Sequence, residues 1–80
     1  MKTDKKEFME LFKKHKIKTQ SFIEKEYIRD EALEEGANES LDVITEDRQS
    51  VGSFYFTKEG KFVGYSNDSI RGYQSKGKHE

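Results

Sequence analysis

Cysteine is absent from the 80 residues, so the chain has neither a disulfide framework nor thiolate chemistry. Small secreted domains of this length usually carry such staples, and their absence points to the cytoplasm. Long apolar runs are missing too. Nothing approaches the length of a membrane span, and the first residues, MKTDKKEF, lack the apolar core of a signal peptide. The six glycines are scattered, with no GxxxxGK[ST] or GxGxxG arrangement to cradle a phosphate. Histidine is confined to His15 and His79, too few and too far apart for a zinc cluster. The acidic run Asp30–Glu39 does not have calcium-loop spacing. Counted from Asp30, Gly36 stands one place late and Leu41 occupies the position of the final glutamate. Neither a metal nor a cofactor is expected.

Hydrophobic residues make up 31% of the chain and charged residues 39%, a balance close to that of chains that do not fold alone. Six phenylalanines and four tyrosines offset it, because each aromatic ring can bury roughly 150–250 Å². A small core is expected within a single domain over residues 1–70, followed by a flexible tail at 71–80. A homodimer that completes the core is the competing arrangement. The net charge of −1 conceals a segregation. Residues 1–20 carry seven lysines against three acids, and residues 21–47 carry ten acids against Lys25 and Arg29. Residues 48–80 carry six basic groups against three acids. Blocks of this kind create local fields that the net charge does not report.

The fold expectation is built on Val51–Ser66. Two arms rich in aromatic and apolar residues flank Lys58-Glu59-Gly60, a loop whose closing glycine suits a left-handed position. Simple pairing across that loop sets Tyr55 opposite Val63 and Phe54 opposite Gly64. Phe54, Phe56 and Phe62 then share one face, while Tyr55, Val63 and Tyr65 share the other. Alternation over Ser40–Glu46 adds a strand, giving an antiparallel meander of 40–46, 51–57 and 61–66. A helix is expected from Asp4 to Lys16, with Asp4 and Glu7 as a capping box and with Phe8, Leu11, Phe12 and His15 on one stripe flanked by Met9. A second helix is expected over Phe22–Glu35, between the capping box Ser21–Glu24 and the stop at Gly36. Its apolar residues point three ways. Asn67–Ser69 is read as capping a single turn around Ile70. The expected fold is therefore α+β: two N-terminal helices packed on one face of a three-stranded antiparallel meander, with a disordered C-terminal tail.

Catalysis is not expected. A nucleophile needs a base within reach, and His15 reads as a boundary residue at the edge of a helix stripe. A chain this short also has little room for a substrate-sized cavity. The acidic block carries the functional reading. In a continuous helix Glu26, Asp30 and Glu34 would stack four apart, a spacing of about 6 Å that resembles the run of phosphates along a nucleic-acid strand. Glu35, Asp42, Glu46 and Asp47 would extend that surface, with Tyr55 and Tyr65 on the hairpin as further contact residues. The expectation is a non-catalytic inhibitor or adaptor, of the kind carried by phages and other mobile elements, that docks on a basic protein. The alternative is a nucleic-acid-binding domain that stacks bases on Tyr55 and Tyr65, with Lys58, Lys61 and Arg71 nearby. Acidic composition argues against that reading, since polyanion binding needs a positive footprint.

Overall fold

The structure, a computed structural model, describes residues 2–67 and 72–76. It is α+β, but not the fold the sequence suggests. Five strands form one antiparallel sheet in sequential order: β1 (Thr19–Phe22), β2 (Glu39–Ile44), β3 (Ser50–Phe56), β4 (Phe62–Asn67) and β5 (Gly72–Ser75). One substantial helix, α1 (Asp4–Lys14), covers one face. A 3-10 turn at Lys25–Tyr27 and a five-residue helix, α2 (Asp30–Glu34), lie between β1 and β2.

The expectation of a second long helix fails because Phe22–Glu35 has no single apolar stripe. Phe22 instead ends a strand that begins at Thr19, with Phe22 opposite Ser40 and Thr19 opposite Val43. Ser21, read as a helix cap, lies inside β1. Ile28 and Arg29 then adopt extended backbone angles, which lets Ile28 bury while α2 begins afresh at Asp30. Gly36 ends α2 with a positive φ of 92°, as its type suggests. The tail is the other correction. Residues 72–75 form β5 on the outer side of β4, with Ser66 opposite Tyr73 and Gly64 opposite Ser75. The expected turn around Ile70 lies outside the described residues.

The hairpin loop follows its chemistry. Gly60 takes φ 88°, its N–H donates to Thr57 O at 2.9 Å, and Thr57 N–H donates to Lys61 O at 2.8 Å. Beyond Phe56–Phe62 the simple pairing breaks, because Val63 is bulged out of register. Tyr55 therefore faces Gly64, and Phe54 faces Tyr65. One extra residue shifts every later side chain to the opposite face. Tyr65 thus joins Phe54, Phe56 and Phe62 rather than Tyr55. Gly64 occupies its place for a steric reason. A Cβ there would lie 2.3 Å from the Tyr73 hydroxyl oxygen and 2.6 Å from Gln74 O.

Each face of the sheet has its own small core. On one, Phe8 of α1 meets Phe54, Phe56 and Phe62 at ring-centre distances of 5.4, 5.2 and 5.0 Å, and Phe12 meets Phe54 at 5.6 Å. The stripe on α1 is narrower than expected. Leu11 is 55% exposed, and Met9 and His15 also face solvent. On the other face, Ile28, Ala32 and Ala37 bury against Tyr55, with Leu33, Val63 and Tyr73 around them.

Thr3, not Asp4, caps α1, accepting a hydrogen bond from Lys6 N–H through its hydroxyl at 3.2 Å. Asp4 is used differently, accepting from Phe62 N–H at 3.0 Å, while Lys5 N–H donates to Gly60 O at 3.0 Å. These bonds fasten the helix start to the β3–β4 turn. Filling the space above Gly64 should destabilise the domain. Gly64→Ala is expected to lower unfolding free energy by about 1–3 kcal/mol, as overpacked cores do; urea denaturation that shows no loss would contradict the placement of Tyr73.

Candidate functional site

Glu26, Asp30 and Glu34 are all exposed, but they do not form one helical column. Glu26 lies in the 3-10 turn, and the extended pair Ile28-Arg29 separates it from α2. Asp30 and Glu34, at the two ends of α2, keep the four-residue relation. The regular phosphate-like spacing is therefore lost, while an acidic margin remains. Burial of Ile28 and Ala32 beneath the segment turns its carboxylates outward. Asp30 and Glu31 also sit in the first turn of α2, where backbone N–H groups favour negative charge. The backbone N–H of Glu31 itself, and then the Arg29 guanidinium at 3.3 Å, hold the Glu31 carboxyl below the ordinary range.

Glu35 serves the fold. Its carboxylate accepts from the Tyr73 hydroxyl and from Ser75 Oγ, the latter at 2.6 Å, and so ties the end of α2 to β5. Sequence reasoning missed this clamp because Tyr73 and Ser75 fall in the stretch read as a tail. Alternation of Tyr73 and Ser75 about Gln74 was the available signal. Burial, followed by the Glu35 carboxylate, raises the Tyr73 phenol far above its ordinary pKa.

The remaining carboxylates are dispersed. Asp42 is half-buried on β2 and accepts from Ser40 Oγ. Glu46 and Asp47 are exposed on the β2–β3 turn, separated from α2 by the length of β2, roughly 20 Å at the usual rise per residue. That turn is closed by Arg48 in a left-handed conformation, φ 64°, a position more often filled by glycine or asparagine.

The two tyrosines do not come together. Tyr55 is 2% exposed, with its hydroxyl 2.9 Å from Ser66 Oγ and its ring 5.7 Å from that of Tyr73. Tyr65 is half-buried on the opposite face beside Phe54. The shared platform for stacked bases is therefore absent from this hairpin.

Among the described residues no group of three or more His, Cys, Asp or Glu side chains is placed to hold a metal. Nor is any described helix long and apolar enough to cross a membrane. Surface concavities include one of about 420 Å³ lined by Lys18, Thr19, Gln20, Ile44, Thr45, Glu46 and Arg48, and one of about 340 Å³ lined by Met9, Glu10, Phe12, Lys13, Ile17 and Thr19. Neither contains a histidine or a buried carboxylate. No family model, curated protein or solved structure matches the chain.

The Glu35 clamp gives stability a dependence on alkaline pH. A phenol whose pKa is raised by folding contributes stability that is complete below its ordinary value near 10 and is lost as pH rises through the folded value. Tyr73→Phe should cost about 1–2 kcal/mol near neutral pH through its lost hydrogen bonds. It should also flatten the decline above about pH 10. Urea denaturation across that range checks both effects, and equal decline in the two proteins would contradict the assignment.

Proposed function

We propose that this chain is a small, non-catalytic protein-binding domain, acting in the cytoplasm as an inhibitor or adaptor, and that its acidic margin engages a basic partner surface. Glu24, Glu26, Asp30, Glu31 and Glu34 make up that margin. The observation that carries the reading is how little of this charge is neutralised internally. All five are exposed, and among the described residues the only ion pair within the segment is Arg29–Glu31.

Like charges held together cost a few tenths of a kcal/mol per close pair. A cationic partner removes that repulsion and is steered to the site by the same field. Glu35 is set apart from the margin because its carboxylate already holds Tyr73 and Ser75.

Charge reversal tests this directly. Glu26→Lys, Asp30→Lys and Glu34→Lys combined should leave the circular dichroism spectrum nearly unchanged and lower thermal stability only modestly, chiefly by the about 0.3–1 kcal/mol that a negative charge contributes in the first turn of α2. Capture of the basic partner should fall by about tenfold or more, and its dependence on salt should weaken. A triple variant that captures the same partner with the same salt dependence would refute the proposal.

A further inference from the structure

The outer edge of β1 offers a second surface, opposite in charge to the acidic margin that begins at Glu24 just beyond the strand. β1 ends the sheet, with β2 on one side and no described strand on the other. Ile44 N–H donates to Lys18 O at 3.0 Å, which fixes the direction of the backbone groups that follow. By antiparallel alternation, Gln20 and Phe22 direct theirs toward β2, and Thr19 and Ser21 direct theirs outward. Both ends of this open stretch are closed by the chain itself. Ile17 N–H donates to Phe12 O at 2.8 Å, and Ile23 N–H donates to the Glu24 carboxylate at 3.2 Å. What remains is a two-residue docking edge, long enough to seat a strand and too short to invite unlimited pairing.

The two sides of that edge differ. Toward α1, Met9, Phe12 and Ile17 line the concavity of about 340 Å³, with Met9 and Ile17 each at least 40% exposed. On the other side, Lys18 and Arg48 flank the concavity of about 420 Å³, opposed by Glu46. Lys13 on the apolar side and Lys18 on the other are both exposed. Glu10, which borders the apolar side, is already paired with Lys2 at 2.7 Å. A strand added here alternates its side chains between an apolar recess and a cationic one.

We infer that the β1 edge binds an extended segment of a partner protein in which apolar and acidic residues alternate, by strand addition at Thr19 and Ser21. Charge decides the occupant. A second copy paired edge to edge by a two-fold axis would bring Lys13 and Lys18 of each chain toward those of the other, and like charges brought together oppose such a pair. The left-handed Arg48 fits the same reading. Its strained backbone at the turn keeps a cation beside the edge where glycine would be easier to accommodate.

The test uses the full chain and two blocked synthetic peptides of about ten residues, one alternating Glu and Val and the other Lys and Val. The acidic peptide should bind and the basic one should not. Binding should slow amide hydrogen exchange at Thr19 and Ser21 and should weaken as salt rises. Ser21→Pro removes an outward N–H without touching the bonds to β2, and should weaken binding about tenfold. The combined Lys13→Glu, Lys18→Glu and Arg48→Glu variant should weaken it by a similar factor and guards against a proline variant that fails to fold. Failure of the acidic peptide to bind, equal binding of both peptides, or binding undiminished in both variants would overturn the inference. A dimer that Ser21→Pro dissolves in sedimentation would also overturn it, by assigning the edge to a second copy.

Discussion

Phe8 presses its ring against three phenylalanines of the β3–β4 hairpin, and the attachment of α1 depends on that contact. No residue of α1 is fully buried, so the helix is not held by a broad stripe. Phe8 and Phe12 supply the packing, while Asp4 and Lys5 supply two hydrogen bonds to the hairpin turn. Aromatic pairs at these distances contribute about 0.5–1.5 kcal/mol each beyond the area they bury. Attachment along one narrow side of the helix has a consequence for the rest of the surface. The last turn of α1 and the connector that follows carry four exposed lysines, of which Lys13 and Lys18 line the concavities beside β1.

The opposite face is organised by a different device. Val63 bulges, Gly64 comes to lie opposite Tyr55, and Tyr73 crosses the space that the missing Cβ leaves open. Tyr73 then reaches Glu35, so α2 is locked to β5 from the far side of the sheet. Lys13 and Lys18 line the concavities beside β1, and the carboxylates of Glu24, Glu26, Asp30, Glu31 and Glu34 are exposed around buried Ile28 and Ala32. Lys5–Glu39 is the described ion pair that joins the first block to the second across the fold.

Local rules carried the reading where local structure decides the outcome. The hairpin loop, the glycine at its close, the three central strands and the helix around Phe8 all follow from periodicity and turn chemistry. Three tertiary effects lay beyond that reach. Good helix formers from Phe22 to Glu35 favoured a helix, yet an open edge on β2 and scattered apolar residues favoured pairing and two short turns. The three-way spread of Phe22, Ile23, Tyr27, Ile28, Ala32 and Leu33 was the sign of this. A one-residue bulge at Val63 moved Tyr65 to the other face, and no local pattern in the strand marks it. β5 was hidden by the polar composition of its neighbours, since Tyr73 and Ser75 matter through Glu35, which is distant in sequence. Of the candidate surface, the exposed acids were legible and their arrangement was not.

The most direct test of the account is zero-length carbodiimide cross-linking in a lysate of the organism that expresses the chain, with the linked peptides identified by mass spectrometry. The account predicts amide links from the carboxylates of Glu24, Glu26, Asp30, Glu31 or Glu34 to lysines of one basic protein, suppressed when salt is raised before the reagent is added. Links that avoid this margin, or a margin that stays unlinked while the protein is fully folded, would contradict its role as a binding surface.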